Sequence, residues 1–257
     1  MKILLTNDDG IYATGLRLLR QALLKAGHKT LVVAPLNEQS AVGHAVTIAM
    51  PVKIKELREN GFEGTAVQGT PVDCVKLALN LLCPEKPDMV ISGINSGANV
   101  GVDVLYSGTV SAATEGALAG LPSLAVSVDS FERTDLSGQA AYAAELISKL
   151  NWPELPSGCL LNLNFPDRPI NEALGLKICP QTTAVYKDRY EYNISPHGQP
   201  YYWLTGELPE ERPHRDSDRS LLSKGYITLT PLHFDLTDYA ALKLLRLSGQ
   251  KSSDLNK

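Results

Sequence analysis

The sequence lacks several features that would assign it to a common class. Its most apolar stretch, residues 117–128, contains Gly120 and Pro122 and is too short to span a bilayer. Its formal net charge is −4, so it lacks the basic excess of a protein that binds nucleic-acid polymers. Its four cysteines include no C-x-x-C pair, and its first predicted strand begins at residue 3, so we expect no signal peptide. We expect reduced thiols, a cytoplasmic location and no membrane partner.

Motifs for several nucleotide and hydrolase chemistries are also missing. There is no G-x-x-x-x-G-K-[ST] phosphate loop, so ATP hydrolysis of that type is not indicated. No G-x-G-x-x-G lies between the first strand and its helix, which leaves dinucleotide binding weakly supported, and no G-x-S-x-G elbow occurs. A small anionic substrate remains compatible with the mild negative charge, because a local metal ion outweighs a weak overall field.

In the first half of the sequence, predicted strands and helices alternate. This alternation predicts an α/β fold with a doubly wound, mostly parallel, Rossmann-like sheet. The predicted strands cover residues 3–6, 30–34, 65–68, 88–92, 124–128 and 160–164, and the predicted helices follow Gly10, Thr70–Pro71, Ser111 and Gln139. From Leu176 the pattern predicts strands and turns without intervening helices. The predicted elements are an aromatic-rich hairpin around residues 197–200, a loop over 206–220 and a strand over 226–230. A last helix, capped by Thr237, follows them.

Two adjacent aspartates, Asp8 and Asp9, end the first predicted strand. Ligands of open α/β sheets bind outside the carboxyl ends of the strands. Side-by-side carboxylates repel each other, whereas a hard divalent cation favours them. The alternative is a solvated turn in which an aspartate caps the following helix. The dipeptide alone does not decide between the two.

Polar segments follow two further strands. Ser40 lies after the second strand, where its hydroxyl could complete a metal shell or make an ordinary loop hydrogen bond. Nearby His44 could assist proton transfer or satisfy the loop backbone. Asn95 lies in the glycine-rich segment 92–101, whose backbone can approach an anion or a metal closely, although such residues also form flexible turns.

Hydroxyl side chains open the helix that begins in residues 106–113. Free backbone N–H groups at a helix N-terminus bind anions, although Ser and Thr are also common N-caps. If the strands are neighbours, Asp8, Asp9, Ser40 and Asn95 converge at one sheet edge. Oxygen ligands alone predict one divalent cation, Mg²⁺ or Mn²⁺, with Ca²⁺ also able to occupy the site. A phosphate at the helix start beside that cation would suit phosphoester hydrolysis.

Several segments together resemble the stationary-phase survival protein SurE family of metal-dependent phosphatases. They are ILLTNDDG (3–10), VVAP with Gln39-Ser40, GTPVDCVKLAL (69–79), PDMVISGINSGANVG (87–101), YSGTVSAATEGALAG (106–120), LPSLAVS (121–127) and GYITLTPL (225–232). The resemblance implies hydrolysis of nucleoside 5′- and 3′-monophosphates, and in some members of short polyphosphate. It also implies a metal site at Asp8, Asp9, Ser40 and Asn95, and a C-terminal arm exchanged between subunits of a homodimer or homotetramer.

We therefore predict a metal-dependent 5′-nucleotidase with a core over residues 1–175 and an oligomerisation arm over 176–257. The predicted catalytic residues are Asp8, Asp9 and Asn95, and the predicted phosphate ligands are Asn99, Ser107, Gly108 and Thr109. A polyphosphatase and a non-catalytic nucleotide-binding regulator remain alternatives, and the nucleophile can be water or an aspartate. Residues 36–38 and 217–224 depart from the usual family pattern, which leaves substrate preference and subunit contacts open.

Overall fold

The structure is a computed structural model that describes residues 1–207 and 216–252. Its strands are β1 (Lys2–Thr6), β2 (Lys29–Pro35), β3 (Lys53–Glu59), β4 (Phe62–Gln68), β5 (Met89–Ser96), β6 (Ser123–Val128), β7 (Cys159–Phe165), β8 (Leu176–Ile178), β9 (Lys187–Ile194), β10 (Pro200–Glu207) and β11 (Ile227–His233). Its helices are α1 (Thr14–Lys25), α2 (Pro71–Leu77), α3 (Gly108–Leu118), α4 (Ser137–Lys149), α5 (Asp218–Ser223) and α6 (Tyr239–Ser252).

One nine-stranded sheet carries the fold, in the order β3-β4-β2-β1-β5-β6-β7-β11-β8. In this spatial order, each neighbouring pair of strands between β4 and β7 is parallel. Strand β3 pairs antiparallel with β4, and β11 pairs antiparallel with β7. The central strands are almost wholly buried because helices cover both faces, which explains their continuous apolar sequences. The predicted doubly wound, mostly parallel sheet is confirmed.

Strand β1 lies at the point where the strand order reverses. It pairs with β2 on one side and with β5 on the other, and the register aligns Thr6 with Ser92. The chain therefore leaves β1 and β5 side by side at the carboxyl edge of the sheet. This is the place where open α/β sheets form their ligand crevice.

Helices pack on both faces of the sheet. On one face α1 contacts α4, and Leu16, Leu19 and Leu23 of α1 belong to one buried cluster with Ile91 and Val126. On the other face α2 contacts α3, and a second cluster holds apolar residues of both helices with Leu4, Val33 and Val90 of the sheet. Burial on this scale stabilises each fully buried aliphatic side chain by about 1.5–3 kcal/mol relative to exposure.

Helix α2 begins as its sequence predicts. Thr70 Oγ1 accepts a hydrogen bond from the Asp73 backbone N–H at 3.1 Å, and Asp73 Oδ2 accepts one from the Thr70 N–H at 2.8 Å. This reciprocal capping box, with Pro71 at the first helical position, satisfies donors that the helix itself leaves free. Asp73 also accepts hydrogen bonds from Thr47, so the cap holds the loop that follows β2.

Helix α3 packs very close to the sheet through its glycines. A Cβ built on Gly116 would lie 2.4 Å from Ser123 Oγ and 2.6 Å from Val90 Cβ. A Cβ on Gly108 would lie 2.8 Å from Asp8 Cβ. Side chains larger than hydrogen at these positions would push the helix away. The helix begins at Gly108 with Ser107 as N-cap, a turn earlier than the predicted start at Ser111.

The C-terminal part corrects the sequence predictions in several places. Strands β9 and β10 form the expected hairpin as a separate two-stranded sheet, while β8 and β11 extend the main sheet. Helix α5 was not predicted, and most of the predicted loop over 206–220 lies outside the described residues. Asp238, and not Thr237, caps the last helix, since its Oδ1 accepts from the Ala241 N–H at 2.9 Å. In the described ranges, no helix has the length and apolar character that a bilayer crossing requires.

Candidate functional site

The turn after β1 holds its two aspartates in a fixed backbone. Asn7 is buried and donates from Nδ2 to the Gly10 carbonyl at 2.9 Å, which closes the turn. The Asp8 carbonyl accepts a hydrogen bond from the Gln39 backbone N–H at 2.8 Å, so the loop after β2 lies against the turn. Only 5% of Asp8 is exposed. The carboxylates therefore lie in a partly desolvated crevice at the carboxyl edge.

Burial changes the acidity of both aspartates. It raises the pKa of Asp8 above the ordinary value, although hydrogen bonds from the Thr109 hydroxyl and backbone act in the opposite direction. Burial and the neighbouring Asp8 charge raise the pKa of Asp9 to about 7. In the described ranges, neither carboxylate forms an ion pair with Lys, Arg or His. Within the described part of the chain, the pair thus lacks a cationic partner.

The end of β5 brings Asn95 to the same crevice. The β5–β6 register shifts between Ser92 and Asn95, and such irregularities re-aim side chains at functional sites. The Ser96 backbone N–H donates to Asp9 Oδ2 at 3.2 Å. Asn95 donates from Nδ2 to the Gly97 carbonyl at 2.7 Å, which assigns its amide orientation and leaves Oδ1 as the side chain's acceptor.

The N-terminus of α3 directly contacts Asp8. Ser107 Oγ accepts from the Val110 N–H at 3.1 Å, so this hydroxyl serves as the N-cap. The Thr109 hydroxyl donates to Asp8 Oδ1, and Gly108 lies against the same carboxylate. The structure therefore brings together Asp8, Asp9, Gly108 and Thr109, with Asn95 in the strand end that contacts Asp9. The Thr109 side chain touches the aspartate that sequence analysis assigns to the metal.

Asn99 is held by polar side chains that sequence analysis did not select. Its backbone N–H donates to Asn164 Oδ1 at 2.9 Å, its Nδ2 donates to Ser127 Oγ at 2.8 Å, and its carbonyl accepts from Asn162 Nδ2 at 2.7 Å. Asn162 and Asn164 are fully buried in β7. Their occurrence as asparagines within a buried strand is the sequence signal that could have identified them, because buried amides require hydrogen-bond partners.

Sequence analysis left two roles open for each of Ser40 and His44, and the structure shows what their side chains contact. Ser40 is exposed, and its hydroxyl donates to Glu38 Oε1 at 2.5 Å; no hydrogen bond joins it to either aspartate. Glu38 is close enough for its charge to raise the pKa of both aspartates. His44 Nε2 lies 2.6 Å from Glu115 Oε1 of α3, and Lys76 pairs with the same carboxylate at 2.8 Å. His44 thus bonds to a carboxylate and not to the loop backbone.

A buried carboxylate from the C-terminal part supports the glycine-rich segment. Asp218 accepts from the Gly101 N–H at 2.8 Å and from the Thr182 N–H at 2.9 Å. The neighbouring Arg219 donates to the Val100 carbonyl at 3.1 Å and pairs with Asp103. Both residues lie in the segment that departs from the usual family pattern. Because Asp218 and Gly101 lie far apart along the chain, no local sequence pattern predicts their contact.

The donor set suits a hard cation. The two aspartates and the Asn95 amide supply oxygen ligands, and the buried Asn7 Oδ1 beside them has no hydrogen-bond partner in the described part of the chain. Nowhere in residues 1–207 and 216–252 do three His, Cys, Asp or Glu side chains cluster as a metal site. A cation here would therefore depend on a carboxylate pair completed by neutral oxygens, which suits Mg²⁺ or Mn²⁺ better than zinc.

Comparisons with known proteins all point to one family. The family described as Survival protein SurE matches residues 3–188. A protein named 5'-nucleotidase SurE from Nitratidesulfovibrio vulgaris (strain DSM 19637 / Miyazaki F) is 58% identical over 250 residues, covering 97% of this chain and 93% of that protein. A protein of the same name from Solidesulfovibrio magneticus is 60% identical over 245 residues, covering 95% and 96%. The crystal structure of the SurE protein from Aquifex aeolicus has a TM-score of 0.83 and 37% identity, covering 97% of this chain and all of that one.

Proposed function

The chain belongs to the survival protein SurE family, and we propose that it is a divalent-metal-dependent phosphatase that hydrolyses nucleoside 5′-monophosphates to nucleoside and phosphate. The names of its relatives support the substrate class. The single observation that carries the chemistry is the adjacent Asp8–Asp9 pair, in which Asp8 is buried against the N-terminus of α3 and Asp9 is half-buried. Carboxylates without a protein cation suit a metal, and a helix N-terminus suits a phosphate.

Asp8 and Asp9 would hold the cation, with Asn95 Oδ1 as a neutral ligand. Ser40 is assigned to the metal by its place after the second strand and by family resemblance, since its hydroxyl contacts Glu38 in the structure. When bound, a divalent cation supplies Lewis-acid polarisation of the phosphoryl group. The hydrogen bonds from Thr109 and Ser96 would orient the two carboxylates. Asp8, Asp9 and Asn95 are thus the proposed catalytic residues.

The start of α3 would bind the phosphate. Its N-terminal N–H groups and the partial positive charge of the helix attract anions. We assign Ser107, Gly108 and Thr109 to this role through their position at the helix start. Asn99 joins them because Asn162, Asn164 and Ser127 hold it rigidly beside the crevice. Positioning of this kind is the main contribution of a protein to phosphoryl transfer.

Phosphate release from AMP and GMP, measured with Mn²⁺, with Mg²⁺ and after chelation, tests the proposal. We expect activity that chelation abolishes and added cation restores. Adenosine 3′-monophosphate and tripolyphosphate in the same panel distinguish the 3′-nucleotidase and polyphosphatase alternatives. Nucleotide binding without phosphate release under any of these conditions would contradict the enzyme and favour a regulator.

The assembly and location of the protein are part of the same proposal. The hairpin of β9 and β10 stands apart from the main sheet and exposes aromatic and aliphatic side chains. We propose that the hairpin within residues 176–257 is the arm that joins subunits in a homodimer or homotetramer, and that β8 and β11 of that range complete the main sheet of the phosphatase core formed by residues 1–175. The four free cysteines support a location in the reducing cytoplasm.

A further inference from the structure

An exposed aromatic ring lies beside the candidate active site and has no role in the chemistry above. Phe131 follows β6 at the carboxyl edge of the sheet, and 86% of it is exposed. A Cβ built on Gly97 would lie 2.8 Å from Phe131 Cε1 and 2.9 Å from its Cζ, so the ring edge touches the Gly97 backbone. Among the exposed large apolar side chains of the described residues, Phe131 has the highest exposed fraction.

The contact with Gly97 places the ring next to catalytic groups. The Gly97 carbonyl accepts the hydrogen bond from Asn95 Nδ2, and the adjacent Ser96 N–H donates to Asp9. The Gly97 N–H in turn donates to the carbonyl of Val128, the last residue of β6, at 2.9 Å. The Phe131 ring therefore contacts the same backbone segment that carries Asn95 and donates a hydrogen bond to Asp9.

The turn that carries Phe131 is tethered at both ends. The Asp129 N–H donates to the Phe165 carbonyl at 2.8 Å, and the Ser130 N–H donates to the Val128 carbonyl at 2.8 Å. Beyond the ring, Arg133 makes two hydrogen bonds to Asp167 Oδ1, at 2.9 and 3.1 Å. An aromatic side chain on a fixed backbone loses little conformational entropy when a ligand stacks on it.

We propose that Phe131 is a stacking platform for the nucleobase of the substrate. The inference rests on the proposed function, since it assumes that the phosphate in the crevice belongs to a nucleotide. Every base has a π-face, so a single phenyl ring would bind purines and pyrimidines without hydrogen-bond selection. The platform would add affinity for nucleotides over other phosphate esters and little discrimination among bases.

Steady-state kinetics with AMP and with ribose 5-phosphate tests the platform, because the second substrate lacks only the base. We expect Phe131→Ala to raise the KM for AMP by about 5- to 150-fold, the range of one stacking contact, with kcat little changed. The KM for ribose 5-phosphate should stay as in the wild type. Phe131→Trp, which keeps a π-face, should retain the affinity for AMP.

A matched control lies at the opposite edge of the sheet. Phe234 also contacts a glycine, since a Cβ on Gly158 would lie 2.9 Å from Phe234 Cε1, but Gly158 precedes the amino end of β7. Phe234→Ala should therefore leave the AMP to ribose 5-phosphate ratio unchanged. Equal losses for both substrates in Phe131→Ala would overturn the platform, as would a changed oligomeric state as the only effect.

Adenosine binding separates this inference from the proposed function. Saturation-transfer NMR with adenosine needs neither phosphate nor turnover, and we expect its signal to fall strongly in Phe131→Ala. If the wild type hydrolyses no phosphate ester, the proposed function fails while this measurement still decides the platform. If adenosine gives equal signals with the wild type and Phe131→Ala, the platform is refuted even when AMP is hydrolysed.

Discussion

Thr109 donates its side-chain hydroxyl to Oδ1 of Asp8, although 101 residues separate the two in sequence. Sequence analysis assigned Thr109 to phosphate and Asp8 to the metal, so the contact couples two roles that appeared independent. A carboxylate fixed by a neighbouring hydroxyl presents its other oxygen in a defined direction. Such supporting hydrogen bonds are part of how a protein sets metal affinity.

We predict that Thr109→Ala weakens metal binding as well as phosphate binding. Loss of a hydrogen bond to a metal-ligating carboxylate costs about 10- to 100-fold in metal affinity or activity. Calorimetric titration with Mn²⁺ measures the first effect without turnover. Thr109→Ser keeps the hydroxyl and should bind Mn²⁺ like the wild type. Unaltered Mn²⁺ affinity in Thr109→Ala would return this residue to a role in phosphate binding alone.

Asp9→Asn should lower kcat for AMP by at least ~10²-fold, as expected when an electrostatic catalytic group is lost. The amide keeps the shape of the side chain but removes the charge that a cation requires. Asp88→Asn is the control, because Asp88 lies just before β5 at the opposite edge and accepts a hydrogen bond from the Lys2 N–H at 2.7 Å. Near-normal turnover by Asp9→Asn would remove Asp9 from the mechanism.

Asp73 should contribute a pH-dependent part of the stability. Burial acts to raise its pKa, but hydrogen bonds from Thr47 and Thr70 outweigh burial and lower it below the ordinary value of 3.8. Its stabilising effect is therefore fully present above the unfolded-state pKa and is lost as the pH falls through the folded-state pKa. We expect Asp73→Ala to cost about 1 kcal/mol of unfolding free energy at neutral pH.

Urea unfolding across the acidic range tests this dependence. The difference between the wild type and Asp73→Ala should shrink as the pH falls below 3.8. Glu63→Ala, which removes an exposed carboxylate from β4, should show a smaller difference at neutral pH. A wild-type advantage that persisted unchanged into strong acid would mean that the carboxylate charge is not responsible.

Asp218→Ala should destabilise the glycine-rich segment. The change leaves the backbone N–H groups of Gly101 and Thr182 without their acceptor, and each buried unsatisfied group costs about 1–3 kcal/mol. Thermal unfolding and amide exchange at these two positions measure the effect. Asp216→Ala, an exposed neighbour, is the control. Unchanged exchange at Gly101 in the Asp218 variant would show that the contact does not support this segment.

One face of the hairpin should mediate assembly. Tyr190, Tyr192 and Ile194 of β9 alternate onto the same face as Tyr202 and Leu204 of β10, and all five are exposed. We expect Leu204→Lys to reduce the oligomer to a monomer, because a charge in an apolar interface is unfavourable. Size-exclusion chromatography with light scattering measures the mass.

Asn193→Lys places the same charge on the opposite face of the hairpin and should leave the oligomer intact. A wild-type protein that is already monomeric would refute subunit exchange through this arm. Equal dissociation by both variants would show that the hairpin responds to charge in general and that no particular face is used.

The sequence predicted the edge of the sheet and its acidic pair for a simple physical reason. Parallel strands are buried on both faces, so β1 and β5 read as apolar runs, and polar residues directly after them stand out. Asp8, Asp9 and Asn95 were selected on this basis. The structure places all three at the two neighbouring strand ends.

Other features left no local pattern in the sequence. Only Leu57 of β3 is buried, so this edge strand has no apolar alternation and was not predicted. The contacts of Asp218 with Gly101 and of Thr109 with Asp8 join residues more than a hundred positions apart. The cap of the last helix was assigned to Thr237 and lies at Asp238. Both residue types are good caps, so only the backbone geometry distinguishes them.

The glycines of α3 have a consequence for how the protein can work and change. Gly116 and Gly108 leave no space between the helix and its neighbours, so the helix end that we propose to bind the phosphate is held in place by packing. Sliding of this helix would be sterically unfavourable, so we expect conformational adjustment during a catalytic cycle to occur at the rim. Adaptation to other phosphate esters would proceed by exchanging rim side chains around an unmoving centre.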